Sequence, residues 1–425
     1  MSQTSLGARW RAVTGPLLVL RVFGQAAEFA GWVVLARRLG AATFGQVAVA
    51  FLVCRYAGLI ADWGASLRGV IDVSAERDAA SILALVRRRT WVTLILVAAY
   101  VAGAVGTGHP GLAPMATVIA CLGLSRDWLS LGQERGLRSG IPMAVQGSAI
   151  LLGALLLPVV SQPSVAVALG YGTAGMLSIA LNRLPPGTRG HIIGLDAWLL
   201  MAILCTQVMS TLDTILLAAM RSTREAGIYA AIYRFPNGWL AVLIIVMYGL
   251  LPVVTRALRD DPGSLGNLRR SLLRWSLPAS VGLLAVTPLA YALVPRVFGA
   301  AFAQGRTAVV LLLVATAVQT AAAPLHSLYL AAGTHRNYAW CLASAAVLNI
   351  VANLVLIPAL GMNGAAISTM LANAFLAALL WLAVSRLMID RSDPRGTSDC
   401  PRRITSTNAS ARATVPAPGV TLTPS

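Results

Sequence analysis

Apolar residues run through this chain in long blocks separated by short polar breaks. The blocks lie near residues 13–36, 45–65, 90–108, 112–131, 143–160, 163–181, 196–219, 228–254, 272–294, 308–331, 338–358 and 364–385. A helix that crosses a bilayer needs about 20 predominantly apolar residues. The pattern therefore predicts twelve transmembrane helices. The blocks near 143–160 and 163–181 are short and carry Pro158 and Pro163.

Charges interrupt the first two blocks. Arg21 and Glu28 fall in the first, Arg55 and Asp62 in the second. A charge at the centre of a spanning helix costs about 2.5–3.5 kcal/mol on insertion scales, so such residues face a polar cavity or a partner. In both helices the spacing is seven residues, which places each pair on one face. At about 1.5 Å per residue, Arg21 and Arg55 reach similar depth near the midplane. Glu28 lies about 10 Å further out, and Asp62 lies near the inner mouth. Two readings remain open: the arginines bind an anion such as a pyrophosphate, or the four charges form internal salt bridges.

Composition supports the membrane assignment. The 425 residues are 57% hydrophobic and only 11% charged, with mean hydropathy +0.74, where soluble chains carry about 25% charged residues. The net charge of +18 is carried by arginine alone, with no lysine. With twelve spans and a cytoplasmic N-terminus, 23 arginines fall on the cytoplasmic side and six (Arg37, Arg38, Arg221, Arg224, Arg296 and Arg306) on the other. Arg21, Arg55, Arg126 and Arg234 lie inside spans. That asymmetry is the positive-inside bias, and it explains the charge without nucleic acid. The five cysteines form no CxxC or ligand-like cluster. The N-terminus lacks a cleavable signal pattern and reads as a retained first span. The loop 66–89, with Arg68, Arg77 and Arg87–Arg89 among apolar residues, fits a helix on the inner membrane surface. The tail from Arg386 is rich in Pro, Ser, Thr and Arg, a composition expected to be disordered.

A repeat divides the chain in two. Thr43–Ala50 reads TFGQVAVA and Glu225–Ile232 reads EAGIYAAI, each opening an even-numbered span. Pro158 and Pro358 stand 200 residues apart, each at the end of the fifth span of its half. The expected fold is an all-α integral membrane protein of about twelve helices, in two parallel six-helix lobes around a central cavity. The expected boundaries are 1–182 for the first lobe, 183–195 for a cytoplasmic linker, 196–385 for the second lobe and 386–425 for the tail.

Four stretches resemble bacterial polysaccharide flippases of the MOP superfamily. They are LARRLGAATFGQVAV (Leu35–Val49), GLIADWGASL (Gly58–Leu67), DTILLAAMRSTREAGIYAAIYRF (Asp213–Phe235, with Pro252 beyond) and VLNIVANLVLIPALGMNGAAI (Val347–Ile367). The resemblance covers about residues 10–385. It implies a transporter that flips an undecaprenyl-diphosphate-linked oligosaccharide from the inner to the outer leaflet of the cytoplasmic membrane, by alternating access, for surface polysaccharide biosynthesis. It also implies work beside a polysaccharide polymerase and chain-length machinery. Related flippases use arginines in their first two helices, which favours a substrate role for Arg21 and Arg55. In the second half, Asp213 and Arg234 are expected near the same end of the seventh and eighth spans, where they can pair. Coupling to a proton or sodium gradient fits, with Glu28 or Asp213 as carrier; no metal or other cofactor is expected.

Other polar residues have simpler readings. Arg126 and Asp127, beside Trp128, fit interfacial anchoring, and Asp196 fits a helix start. Tyr229, Tyr233, Trp239 and Tyr248 line the eighth span and suit either sugar stacking or an interfacial belt. His326 reads as a packed, hydrogen-bonded histidine. Gln207, Gln319, Asn349 and Asn353 read as interhelical hydrogen-bond partners. Two alternatives differ in class. A membrane glycan polymerase or ligase usually carries a large external loop, which this chain lacks, and no nucleophile motif is visible, so no enzyme is expected. A drug or cation antiporter of the same superfamily should favour acidic rather than basic cavity residues.

Overall fold

A computed structural model describes residues 3–66, 79–133, 135–157, 162–182, 197–241, 243, 254–255, 257–258, 261, 265–332 and 335–392. Arg68, Arg77, Pro158, the 183–195 linker, Asp196, Tyr248, Pro252 and the tail beyond 392 lie outside these residues.

Every regular element described is helical. Gln3–Asp62 is one continuous run broken only at Gly40, whose φ of 70° and ψ of 170° lie outside helical space. Glycine alone adopts that conformation at little cost, and the chain reverses there between α1 (3–39) and α2 (41–62). Then follow α3 (Ala79–Gly106), α4 (Ala116–Leu124), the short α5 (Asp127–Gly132), α6 (Gly136–Leu155) and α7 (Pro163–Leu181). The second half holds α8 (Ala197–Met220), α9 (Thr223–Ile232), α10 (Leu265–Ala285), α11 (Thr287–Phe298), α12 (Arg306–Ala331), α13 (His335–Leu360) and α14 (Met362–Ser392). Gly361, at φ 57°, makes the tight turn between α13 and α14.

Among the described residues, seven helices are long and apolar enough to cross a membrane, or eight if α10 and α11, bent by 49°, form one span. The first of these, Gly15–Asp62, is 48 residues long and holds two passes across the Gly40 reversal. The remaining expected spans are visible as helices but fall short of that test. The fourth is divided between a 3-10 turn (Pro110–Met115), α4 and α5, and the eighth is only partly described. The third helix begins at Ala79, eleven residues before the apolar block, so Arg87–Arg89 are part of it rather than of a loop.

The helices pack in two groups. In the first, α6 lies along α1 and against α7, while α4 contacts α2, α3 and α7. Small residues make this possible. A Cβ on Gly147 would stand 2.0 Å from the Gly24 carbonyl oxygen, and one on Gly31 would stand 2.9 Å from Ile150 and Leu151. In the second group, α14 packs on α12 and α13, α13 on α8, and α10 on α12. The groups meet chiefly where α2 touches α9, through Gly45 and Gly227. Beside that contact lies an aromatic layer: Phe29 against Phe235 and Phe298 at 6.0 and 6.4 Å, and Phe44 against Phe302 at 6.3 Å between ring centroids. The end of the bundle that carries Gly40 is thus filled by side chains from both groups.

Arginines stitch helix ends at the same level. Arg37 donates to the carbonyls of Val297 (2.6 Å) and Arg296 at the end of α11. Arg38 donates to Leu155 (2.7 Å) and Ala154 (3.2 Å) at the end of α6. Arg221 reaches the Pro358 carbonyl near the end of α13 at 3.3 Å. Each cation meets the orphan carbonyls and negative dipole of a helix C-terminus.

Candidate functional site

A cavity of about 740 Å³ lies between the two groups. One wall is α1, with Arg21, Gln25 and Glu28; the facing wall comes from the 234–241 segment after α9, with Arg234 and Asn237, and from α10, α11 and α12, with Leu283 among them. Local structure sets these positions. Gln25 and Glu28, three apart on α1, point the same way, and Trp32 follows one turn later. On the other side, the helix breaks at Tyr233 and resumes over 234–241. Pro236 explains the break, because its ring excludes a helical bond to Ile232 and crowds that carbonyl. Arg234 follows directly on this break and lies on the cavity wall.

Glu28 is the centre of the polar network. The fully buried Trp32 indole donates to Glu28 Oε1 at 3.1 Å, and the Gln25 and Gln146 amides reach Oε2 at 3.4 Å. Arg234 Nη1 lies 4.0 Å from Oε1. Its guanidinium stacks 4.1 Å over the Trp32 ring and 5.9 Å from Phe51. Stacking satisfies the flat face of the cation while leaving donors at its edge free. The pair joins the two helix groups, since Glu28 belongs to α1 and Arg234 to the segment after α9.

Arg21 shares the cavity wall but has no carboxylate partner among the described residues, and its Nε is buried with no hydrogen bond to any of them. Arg55 is exposed and has no ion-pair partner among the described residues. It lines a smaller space, about 30 Å³, with Arg234, Thr211 and Tyr233. Arg234 lies on the walls of both spaces, so the three arginines surround one region with Glu28 as its single acid among the described lining residues. Beside it, Tyr56 of α2 donates to the Gln207 carbonyl of α8 at 3.1 Å and receives Thr211 Oγ1 at 3.0 Å.

Asp62 and Asp213 find partners other than the cavity arginines. Asp62 does not face the cavity arginines. It pairs with Arg89 of α3 at 2.8 Å and accepts from Ser66 Oγ at 2.6 Å. Arg89, only 4% exposed, also donates to the Leu122 carbonyl of α4. The early start of α3 brings Arg89 level with the end of α2, and this is what captures Asp62. Nor does Asp213 pair with Arg234. Asp213 is fully buried within the second group, where Tyr229 OH and Asn353 Nδ2 donate to it at 2.8 Å each, and Thr369 Oγ1 donates as well. These donors come from α9, α13 and α14. The Asn353 Oδ1 beside them is buried without a partner among the described residues.

The remaining readings divide. His326 Nδ1 lies 2.9 Å from Tyr338 OH, a packed and hydrogen-bonded histidine as expected. Asn349 and Asn353 bond to each other at 3.1 Å. Tyr229 and Tyr233 are buried in the core, so they form no interfacial belt; Trp239 lines the cavity and donates to Thr320 at 2.9 Å. Sequence reasoning did not reach Gln25, Trp32 or Gln146 as partners of Glu28. The 25–28–32 spacing on α1 was a usable signal for the first two. Gln146, on α6, left no signal.

No protein-family model and no curated protein sequence matches the chain. Solved structures do resemble it. The lipid II flippase MurJ in an inward closed conformation superposes with TM-score 0.65 at 12% identity, over 88% of this chain and 89% of that one. A multidrug resistance MATE family transporter of the MOP superfamily, in an inward-facing conformation, gives 0.65 at 10% identity over 88% and 98%. A mutant of the Vibrio cholerae MATE transporter VcmN gives 0.55 at 13% over 92% and 100%. The chain, helical throughout its described elements, therefore has the fold of MurJ and of these MATE transporters.

Proposed function

We propose that this protein is a transporter that moves a polyprenyl-diphosphate-linked oligosaccharide from the inner to the outer leaflet of the cytoplasmic membrane. The observation that carries this reading is the charge balance of the space between the lobes. Arg21 and Arg234 line the cavity, Arg55 and Arg234 line the small space beside it, and Glu28 is the one acid among the described lining residues. Three permanent cations against one carboxylate suit an anionic head group, and guanidinium edges suit phosphate oxygens. Likeness to the MurJ fold is compatible with a lipid-linked substrate.

In this reading Glu28 keeps Arg234 compensated while the cavity is empty. An entering diphosphate takes over Arg234 and gathers Arg21 and Arg55, and the lobes rock about the Gly45–Gly227 contact. The Gly40 end is the outer one, the termini are cytoplasmic, and lobes, linker and tail keep the boundaries given above. The polyprenyl chain stays in lipid throughout. Asp213, held by three neutral donors, is the carrier of a coupling proton or sodium ion. A polymerase and chain-length machinery receive the flipped product.

Reconstituted vesicles loaded with a fluorescent polyprenyl-diphosphate glycan test the reading. Wild-type protein should move the probe across the bilayer, and Arg21→Ala, Arg55→Ala and Arg234→Ala should each abolish movement while inserting normally. Wild-type movement in all three variants would refute the diphosphate role. Export of cationic drugs, with no movement of the glycan, would establish the antiporter alternative.

A further inference from the structure

A second groove lies away from the cavity, on the outer surface of the second lobe. It holds about 350 Å³ between α10, α12 and α14. Its α10 edge is Leu273, Leu277, Ser280 and Leu284, spaced so that they share one helix face. Its floor includes Val318 and Ala321, and its α14 edge is Ala377 and Trp381. Leu277, Leu284 and Trp381 are 50%, 39% and 44% exposed. In a membrane-spanning bundle such a surface meets acyl chains.

One end of this groove is built differently. Arg269 stands one turn before Leu273 on the same α10 face. Its guanidinium stacks 4.6 Å over the Trp381 ring, and Nη1 donates to Ser385 of α14 at 3.3 Å. Its Nε is buried and lacks a hydrogen-bond partner. Arg270 and Arg274 follow on the neighbouring face, and Arg386 adjoins Ser385; all three are exposed. Arg270 contacts Asn267 at 3.1 Å, and none of the four arginines has a carboxylate partner among the described residues. An apolar slot with a cationic mouth, which no carboxylate compensates among the described side chains, matches an amphiphile with an anionic head.

We propose that this groove binds one anionic phospholipid of the bilayer, its phosphate at Arg269 and one acyl chain along Leu273, Leu277 and Leu284. Arg269, positioned by Trp381 and Ser385, supplies the fixed donors; Arg270, Arg274 and Arg386 add diffuse attraction. The lipid fastens α10 to α14 and so belongs to the second lobe alone. This inference is independent of the cargo that the central cavity carries.

Native mass spectrometry of the purified full-length protein, titrated with phosphatidylglycerol or phosphatidylcholine, tests it. One phosphatidylglycerol should remain bound under conditions that strip phosphatidylcholine. Arg269→Gln should weaken phosphatidylglycerol by about five-fold, the scale of one arginine–lipid contact, without changing phosphatidylcholine. Ala321→Phe, which fills the floor while leaving every charge, should remove the bound lipid in protein whose Tm without added lipid stays at the wild-type value. Equal retention of both lipids, or unchanged binding in Ala321→Phe, would overturn the site. Displacement of phosphatidylglycerol by a polyprenyl diphosphate at equal concentration would also overturn it, by assigning the groove to a different lipid.

Discussion

Gly45 and Gly227 face each other at the contact between the lobes, and each leaves no room for a side chain on the other. A Cβ on Gly45 would stand 1.8 Å from the Thr223 carbonyl oxygen, and one on Gly227 would stand 2.0 Å from that of Ala41. The two residues also occupy the same place in the repeat, third in TFGQVAVA and third in EAGIYAAI. Equivalent helix starts thus meet backbone to backbone, a geometry open only to glycine.

Gly45→Val and Gly227→Val should therefore separate α2 from α9 at the Gly40 end. Overpacking of this kind costs about 1–3 kcal/mol, so purified variants should show a lower Tm. A cysteine placed at Phe302, buried in the aromatic layer beside this contact, should become reactive to a water-soluble maleimide in either variant. Unchanged protection would show that the contact does not hold this end closed.

The Glu28–Arg234 pair should behave as a coupled unit. Glu28→Gln and Arg234→Gln should each lower stability, because each leaves a partly buried charge without its partner. The double variant should recover part of the loss, with a coupling of at least about 0.5 kcal/mol in a double-mutant cycle. Arg234→Lys should fall short of wild type, since an ammonium loses the planar stack on Trp32. Strict additivity in the cycle would remove the pair as a link between lobes.

Asp62 and Arg89 should matter for stability and not for cargo. Asp62→Asn strands Arg89, which is 4% exposed, and should cost about 3 kcal/mol, read as a fall in Tm. The fraction that folds should still move the glycan probe at the wild-type rate. Loss of movement at normal Tm would instead return Asp62 to the transport path.

Asp213→Asn preserves size and removes the charge that Tyr229, Asn353 and Thr369 surround, turning one accepting oxygen into a donor. The variant should fold and insert, yet lose the dependence of transport on an imposed proton or sodium gradient. A gradient response equal to wild type would place the coupling group elsewhere.

Much of the fold was legible because membrane insertion is a local property. Each apolar block carries its own insertion free energy, whatever its neighbours do. The blocks and the repeat that gives Gly45 and Gly227 the same place are visible in the residues themselves. The site was legible in kind only. That Arg21 and Glu28 must face something polar follows from the cost of burying charge. Which partner each one meets does not.

The sequence by itself determined an all-helical membrane protein, built from a duplicated half, with charges turned inward. Tertiary structure alone decided the pairings: Glu28 with Arg234 across the lobes, Asp62 with Arg89, and Asp213 with three uncharged donors. Depth along a helix follows from counting residues. A side chain's neighbours depend also on helix rotation and tilt, and a single residue turns the helix by about 100°. The early start of α3 raises Arg89 beside Asp62. Small displacements of that kind change the partner of a charge without changing the span that holds it.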